Sequence, residues 1–411
     1  MKRLSSSKPT SADTKGTFVS LFSGCGGLDL GFTQAGMRCV GAYDLDAKAL
    51  QVHAQNIKGS TFVRDLSQGP THLNLGVKPD LVLSGSPCQG FSTIGKRDIG
   101  DLRNKLLLRG AQIAVDLGAR IFVAENVPAV AFGSHKRYWN QLRTFLHDSG
   151  YASSSLTLAA NDFGVAQMRK RLFLVAVRGS HAVNLQPKTL TSRTLRDAIG
   201  DLSSSDKKIA NHDPENLPVS STDFAIARRI RQSQKLCNVR GSDRAVHTWD
   251  IPEVFGATTL RQRSLLLAVL KLRRCERVRD FGDADPVDLD SLNKFIGWNP
   301  NSTIKQLIVK GYVKMVGDRV DFTHTFNGKY RRLSWDSLSH TVDTRFGSAR
   351  NFLHPEEHRA LTVREAARIQ GFPDSFKLSG SMQDQFRFIG NAVPPPVAKA
   401  LAIEIAEMLG D

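Results

Sequence analysis

A thiol lies in the turn-forming stretch GSPCQGFS, residues 85–92. The apolar run Leu81–Leu83 before it predicts a buried strand, so Cys88 should lie on a rigid loop where that strand ends. Open α/β sheets place their chemistry at this edge, and an ionised thiol is a strong nucleophile. A lone cysteine is more often an inert buried residue, so both roles remain open for Cys88 taken alone.

A carboxylate and two arginines come from later predicted strands. Ile121–Ala124 predicts a strand that ends in Glu125, so Cys88 and Glu125 should emerge at one edge of the sheet. Arg169 and Arg171 are two residues apart on a further predicted strand, so they share a face and can meet anions.

A glycine-rich corner follows the first predicted strand, residues 17–22. The segment SGCGGLDLGF, residues 23–32, turns into a helix whose free N–H groups can face a ligand. It lacks the dinucleotide fingerprint G-x-G-x-x-G because Asp29 replaces the third glycine. Asp44 ends the second predicted strand, where an acid can bind ribose hydroxyls, although a helix-capping role is an equal alternative. Together these features predict an adenosine-type cofactor that need not contain a pyrophosphate.

The length and composition predict a soluble globular protein. The 411 residues suffice for a full core and two domains. No apolar run reaches membrane-spanning length, and the polar, basic N-terminus is not a secretory signal. The five cysteines are few and widely spaced, which favours a reducing cytoplasm and predicts no metal site.

The charge favours a polyanionic partner. The chain has 56 Lys and Arg against 39 Asp and Glu, a net charge of +17. Residues 223–280 alone contain 13 Lys and Arg against 6 Asp and Glu. Such a concentration is more typical of phosphate-backbone contact than of a solvated face, with a generally basic protein as the alternative.

The composition divides the chain into four segments. Residues 1–15 are predicted to be a flexible basic tail, and residues 16–185 the first part of an α/β domain. Residues 186–338 are polar, basic and broken by Pro, Gly and Ser, and residues 339–411 return to the α/β pattern. Further predicted elements are a β-hairpin with arms at 151–159 and 163–176, a helix over 224–235, a strand over 339–345, a helix from 362 to 371 and a closing helix to 409.

Residues 255–325 have the element order of a winged helix-turn-helix. A longer helix precedes two short helices, each ending at a glycine, and a hairpin: residues 289–296, 301–310 and 312–322. The second short helix would present three side chains outward for the DNA major groove: Thr303, Gln306 and Lys310. A generic α+β packing unit is the alternative.

Six motifs together make the chain resemble the C5-cytosine DNA methyltransferases of the prokaryotic restriction-modification type. They occur in the family's order: FSGCGG (22–27), PCQGFS (87–92), ENV (125–127), QxRxR (167–171), REAARIQGFP (364–373) and GNAVP (390–394). The motifs cover roughly residues 17–178 and 339–411, and the section between these two ranges lies where the family keeps its target-recognition region. The resemblance implies a Rossmann-like α/β methyltransferase domain with a smaller target-recognition domain.

The resemblance also implies a covalent mechanism. Cys88 would add to C6 of a cytosine and make C5 nucleophilic, while Glu125, protonated, would donate at N3. A carboxylic acid keeps its proton near neutral pH only where burial raises its pKa. Arg171 would bind the O2 side of the base and orient Glu125, and Arg169 would lean towards phosphate.

A base inside a duplex cannot reach Cys88, so the target must flip out. Gln89 and Ser92 are expected to contact the DNA.

The implied methyl donor is S-adenosylmethionine. Phe22 would face its adenine, Asp44 would bind its ribose, and Asp65 would accept from the adenine amine. Leu45 stands where many relatives have an aromatic residue, so one wall of the pocket is expected to be weaker. The implied cofactor-binding residues are Phe22, Ser23, Gly24, Gly27, Leu28, Asp44, Leu45, Asp65, Leu66, Pro87, Leu106, Asn391 and Val393.

Three other functions are weighed against this one. An RNA (tRNA) cytosine C5 methyltransferase would use the same residues, but a winged helix favours duplex DNA because the major groove of A-form RNA is too narrow for a helix. A non-enzymatic DNA-binding regulator on the same frame is disfavoured by the intact Cys88, Glu125, Arg169 and Arg171. The missing fingerprint disfavours a nicotinamide oxidoreductase.

We expect a monomer in the bacterial cytoplasm, associated with the nucleoid, that acts on double-stranded DNA and not at a membrane. A cognate restriction endonuclease is a candidate partner. The sequence leaves open whether that nuclease exists, which site is recognised and which cytosine is methylated.

Overall fold

The computed structural model describes residues 14–69, 71, 73, 75–87, 105–179, 183–202, 209–239, 241–275 and 285–410. The chain divides into two compact units. The first is drawn from Met1–His212, Leu338–Thr344 and Val363–Asp411, and the second from Asp213–Ser337 and Arg345–Thr362. The first division falls after residue 212, whereas the change in composition suggested residue 185.

A seven-stranded sheet forms the centre of the first unit. Its strands, numbered in chain order, are β1 Thr17–Leu21, β2 Arg38–Asp44, β3 Ser60–Val63, β4 Leu81–Ser84, β5 Ile121–Asn126, β6 Tyr151–Ala159 and β7 Lys170–Arg178. They lie in the order β3-β2-β1-β4-β5-β7-β6. β1 to β5 pair in parallel, while β7 is antiparallel to both β5 and β6. The predicted Rossmann-like α/β fold is confirmed.

Two hydrophobic cores form because neighbouring residues of a strand point to opposite faces. The helices of this unit are α1 Gly27–Gln34, α2 Ala47–Asn56, α3 Leu106–Asp116, α4 Lys136–Asp148, α5 Leu195–Ile199, α11 Val363–Gln370, α12 Met382–Asn391 and α13 Pro395–Gly410. Phe18 of β1 joins the core that includes residues of α1 and α13, and Val19 joins the core that includes residues of α3 and α4.

The strand order reverses between β1 and β4, which opens a crevice beyond the carboxyl ends of these strands. The glycine-rich loop, residues 22–26, follows β1, and residues 85–87 follow β4. Phe22 has a φ of 55°, a left-handed conformation that is uncommon for a residue other than glycine. This path turns the chain sharply from β1 into α1 beside the crevice.

The second arm of the predicted hairpin begins later than expected. β7 starts at Lys170 rather than at residue 163, because residues 160–162 form a 3-10 turn and the chain then loops through Gln167. β6 matches its predicted range.

The strand predicted over residues 339–345 is wrong. Ser339 forms only an isolated bridge with Gln167, and the Met168 N–H donates to the Ser339 carbonyl at 2.9 Å. The Val342 N–H donates to the side-chain oxygen of Gln167 at 3.0 Å. The side-chain amide of Gln167 therefore accepts a hydrogen bond that a neighbouring strand would accept in a sheet.

The second unit is built from short elements: α6 Ser221–Ala227, β8 Lys235–Leu236, β9 Ala245–Val246, α7 Pro252–Phe255, α8 Leu260–Cys275, β10 Val287–Asp288, α9 Leu289–Ile296, α10 Asn301–Lys310, β11 Val313–Val316, β12 Arg319–Phe322, β13 Arg331–Arg332 and β14 Phe352–Leu353. The helix predicted over 224–235 is displaced, since α6 ends at Ala227. Ser233 has a φ of 66°, which a right-handed helix cannot contain.

The segment from α8 to β12 has the element order and pairing of a winged helix. β12 lies between β10 and β11 and is antiparallel to both. Asp288 caps α9 by accepting from the N–H groups of Asp290 and Ser291, and Gly297 ends it with a φ of 75°. Gly311 ends α10 in the same way, with a φ of 87°. The predicted ranges of both helices are confirmed.

No described helix is both long and apolar enough to span a membrane. The four described cysteines are free, and three of them, Cys25, Cys39 and Cys237, are buried.

Helices α1 and α13 touch at Gly31, on the face of the sheet that carries Phe18. A Cβ at residue 31 would lie 2.6 Å from the Lys399 nitrogen and 2.7 Å from the Pro395 carbonyl oxygen. Both are main-chain atoms of α13, so they cannot rotate away. The contact requires glycine at this position.

Gly31→Ala should therefore lower the free energy of unfolding by about 1–3 kcal/mol, because the added methyl group overpacks a helix contact. Gly410→Ala is the matched control, since Gly410 lies in α13 and its Cβ would meet no atom within 4 Å. Urea unfolding of both variants checks this. An unchanged midpoint for Gly31→Ala would show that α13 can move aside.

Candidate active site

A cavity of about 540 Å³ opens in the first unit beyond β1, β2 and β4. It is lined by every residue that the sequence implied for cofactor binding: Phe22, Ser23, Gly24, Gly27, Leu28, Asp44, Leu45, Asp65, Leu66, Pro87, Leu106, Asn391 and Val393. Glu125 and Arg171 line the same cavity. The lining therefore brings together residues from both ends of the chain.

Asp44 fixes the glycine-rich loop to the end of β2. One carboxylate oxygen accepts the Gly24 N–H at 2.8 Å, and the other accepts the Asp46 N–H at 2.8 Å. Burial raises the pKa of Asp44, against the lowering effect of these hydrogen bonds. The cap of α2 is Asp46, which accepts from Lys48 and Ala49, so the capping alternative does not apply to Asp44.

The rim of the cavity combines an exposed apolar residue with an ionised acceptor. Leu45 is 68% exposed. Asp65 is also exposed, and hydrogen bonds from Ser67 lower its pKa. The Ser67 N–H donates to Asp65 at 2.9 Å. This carboxylate is therefore a ready hydrogen-bond acceptor at neutral pH.

Glu125 and Arg171 form an ion pair inside the cavity. The Arg171 Nε lies 2.8 Å from Glu125 Oε1, and their side chains are only 14% and 11% exposed. Burial raises the pKa of Glu125, while the charges of Arg171 and Arg169 oppose the rise. The pairing follows from the register, because Glu125 of β5 lies opposite Phe173 of β7, two residues from Arg171.

Arg169 occupies a different environment from the one that the family resemblance implied. The residue is 1% exposed, and its guanidinium donates to the carbonyls of Val342, Gly390 and Ala392 at 2.9, 3.1 and 2.8 Å. It does not line the cavity with Arg171. Because three main-chain carbonyls hold its guanidinium, Arg169 stabilises the fold and does not point outward toward phosphate.

The loop after β4 is anchored from β5. The Asn126 side-chain amide donates to both the carbonyl and the hydroxyl oxygen of Ser86 at 3.3 Å. The Val127 N–H donates back to the Asn126 amide oxygen at 2.9 Å. Asn126 thereby holds the residues that lead to Cys88. Cys88, Gln89 and Ser92 themselves lie outside the described residues.

The prediction that Thr303 faces outward is wrong. Thr303 is 5% exposed and packs inward from α10, while Gln306 and Lys310 both hydrogen-bond to Gln262 of α8. The sequence pattern correctly predicted where the helix lies in the chain but not which of its faces is buried. The buried face depends on α8 and the sheet, which pack against it.

A buried network beneath the cavity was missed by the sequence analysis. Asp29 accepts from the Ser20 hydroxyl at 2.7 Å, and its other oxygen lies 2.7 Å from His53 Nε2. The side chains of Asp29 and His53 are fully buried. The only signal was an acidic residue in place of the third glycine. The network joins β1 and α1, which flank the glycine-rich loop, to α2, which follows Asp44 of β2.

The sheet order and the cavity at its switch point define a Rossmann-like α/β protein whose cavity lies at the sheet edge where such folds bind ligands. The model of the C-5 cytosine-specific DNA methylase family matches residues 16–407, and the chain belongs to this family.

The chain is similar to named members along most of its length. It is 30% identical to the type II methyltransferase M.XorII of Xanthomonas oryzae, over 95% of this chain and 84% of that protein. It is 29% identical to the type II methyltransferase M.AgeI of Thalassovita gelatinovora, over 93% and 97%. A prophage-encoded E. coli protein assigned as a DNA modification methyltransferase shares the fold, with 22% identity, a TM-score of 0.56 and coverage of 96% and 99%.

His53→Ala should lower the free energy of unfolding by about 3 kcal/mol, because it leaves the Asp29 carboxyl buried without its partner. His147→Ala is the matched control, since His147 and Asp148 form an exposed pair at 3.2 Å whose loss should cost about 0.5 kcal/mol or less. Urea unfolding of the two variants measures the difference. Equal stabilities would mean that the buried pair contributes nothing to the fold.

Proposed function

We propose that the chain transfers a methyl group from S-adenosylmethionine to C5 of a cytosine flipped out of a specific duplex sequence, with Cys88 as the nucleophile. One observation supports this above all others. A single cavity is lined both by the residues implied for the cofactor and by the Glu125–Arg171 pair implied for the base.

The lining of the cavity suits an adenosyl cofactor. Aromatic and aliphatic side chains offer the flat, apolar walls that an adenine ring prefers, and Asp44 and Asp65 offer acceptors for ribose hydroxyls and an exocyclic amine. S-adenosylmethionine would supply an electrophilic methyl group there. The residues of the glycine-rich loop would hold its methionine end, and Gly24 leaves open space there, with no atom within 4 Å of its Cβ position.

Glu125 is suited to donate a proton to N3 of the base. Burial raises its pKa, which favours the neutral acid, and Arg171 holds the carboxyl in one orientation through Oε1. The ion pair does not use the other carboxyl oxygen, which is therefore available to carry the proton. Protonation at N3 withdraws electron density from the ring, so that a nucleophile can add at C6.

Cys88 would add as a thiolate to C6, which turns the ring into an enamine that is nucleophilic at C5. After methylation, loss of the C5 proton and of the thiolate restores the ring. Residues 85–87, which line the cavity and are held by Asn126, support this role because they directly precede Cys88 in the sequence.

The second unit would select the DNA sequence. Its winged-helix segment favours duplex DNA over RNA, since a helix fits the major groove of B-form DNA. We further propose that the chain is a type II restriction-modification methyltransferase like M.XorII and M.AgeI, and that it acts as a monomer in the bacterial cytoplasm.

A duplex containing 5-fluorocytosine at the target should trap a covalent complex when S-adenosylmethionine is present, because fluorine at C5 blocks the elimination that releases Cys88. Denaturing gel electrophoresis detects the adduct. Cys88→Ala should form none, while Cys275→Ala, an exposed free cysteine, should form it normally. An adduct with Cys88→Ala would refute the assignment of the nucleophile.

Binding of S-adenosylhomocysteine should weaken as the pH falls through the raised pKa of Asp44, because protonation removes an acceptor for the ribose hydroxyls. The pKa of Asp65 is lowered, so that residue stays ionised to a lower pH than Asp44. Calorimetric titrations at a series of decreasing pH values measure the effect. Asp44→Asn should bind weakly with little pH dependence, and an unchanged profile in this variant would assign the dependence to another group.

A further inference from the structure

The second helix of the winged-helix segment, α10, has a clearly divided surface. Thr303, Ile304 and Leu307 are buried against the core of the segment. In an α-helix these positions lie within about 100° of one another, so the opposite face is centred on Ser302, Lys305 and Val309. All three of these side chains are exposed, and Val309 is 88% exposed.

The polar residues at the edge of this face are already engaged. Gln262 of α8 donates to Gln306 at 2.9 Å and accepts from Lys310 at 3.0 Å. Lys310 also donates to the Ala257 carbonyl. In contrast, no described residue hydrogen-bonds to Lys305 or forms an ion pair with it. The cation at the centre of the exposed face is therefore free to meet a ligand.

The geometry of this face matches the edges of stacked base pairs. Ser302 and Val309 are seven residues apart, so they span about 10 Å along the helix. This distance corresponds to about three base-pair steps of 3.4 Å. Lys305 also gives the face a positive charge, which is complementary to the charge of DNA.

The side chains have distinct partners in the major groove. A lysine ammonium donates to O6 and N7 of guanine, an apolar side chain packs on the methyl group of thymine, and a serine hydroxyl can pair with several bases. A single exposed valine is unremarkable on its own. Its place in one line with Lys305 and Ser302 on the second helix of a winged helix makes it significant.

We propose that Ser302, Lys305 and Val309 contact base edges in the major groove and set part of the recognition sequence, with Lys305 selecting guanine and Val309 selecting thymine. This inference rests on the proposed DNA methyltransferase function. Lys305 and Val309 are four residues, or about 6 Å, apart, so the two selected positions should lie about two base pairs apart.

The test is methylation of a duplex library with randomised positions on both sides of the target cytosine, followed by bisulfite sequencing of the products. Lys305→Ala should reduce the preference for guanine at one position about tenfold or more and leave the other positions unchanged. Val309→Ser removes both methyl groups and leaves a small polar side chain, and should reduce the preference for thymine at the second position.

Lys294→Ala is the matched control, an exposed lysine on α9 whose loss should leave every preference unchanged. Unaltered preferences in Lys305→Ala and Val309→Ser would overturn the proposal. Equal weakening on all sequences with a smaller salt dependence would also overturn it, since that result marks a phosphate contact. The unmodified protein tests the proposed function separately, because a lack of methylated cytosine in the whole library would refute the activity itself.

Discussion

The buried guanidinium of Arg169 holds the two ends of the chain together. It donates to carbonyls of Val342, Gly390 and Ala392, which belong to segments that return after the second unit. A buried arginine is stable only when its donors are matched, so these carbonyls are held close to β7. Asn391 and Val393, next to two of them, line the cavity. The wall of the site therefore depends on one side chain that never faces the ligand.

Three carboxylates of the cavity are prepared for different roles by their surroundings. Burial raises the pKa of Glu125 and of Asp44, whereas hydrogen bonds from Ser67 lower the pKa of the exposed Asp65. Glu125 faces an arginine, and Asp44 faces two main-chain N–H groups. The surroundings thus favour the neutral form of the two buried carboxyl groups and the ionised form of the exposed one.

Elements whose boundaries depend on local chemistry were predicted well from the sequence. The helices over 289–296 and 301–310 end at Gly297 and Gly311, which adopt left-handed conformations at the expected positions. The strand over 339–345 failed because the Gln167 side chain, far away in the chain, satisfies the Val342 N–H. The helix predicted to reach residue 235 failed because Ser233 adopts a positive φ, which polar sequence patterns do not reveal.

The sequence by itself determined which residue types are available for chemistry and their order along the chain, since motifs such as PCQGFS and ENV are local and specific. It also determined that Glu125 and the loop after β4 lie at one sheet edge, because parallel strands end together. Only the tertiary structure decided that Arg171, and not Arg169, faces the cavity with Glu125, and that α10 presents Ser302, Lys305 and Val309 instead of Thr303. Those outcomes depend on which neighbours pack against a strand or helix, and such contacts join residues that are distant in sequence.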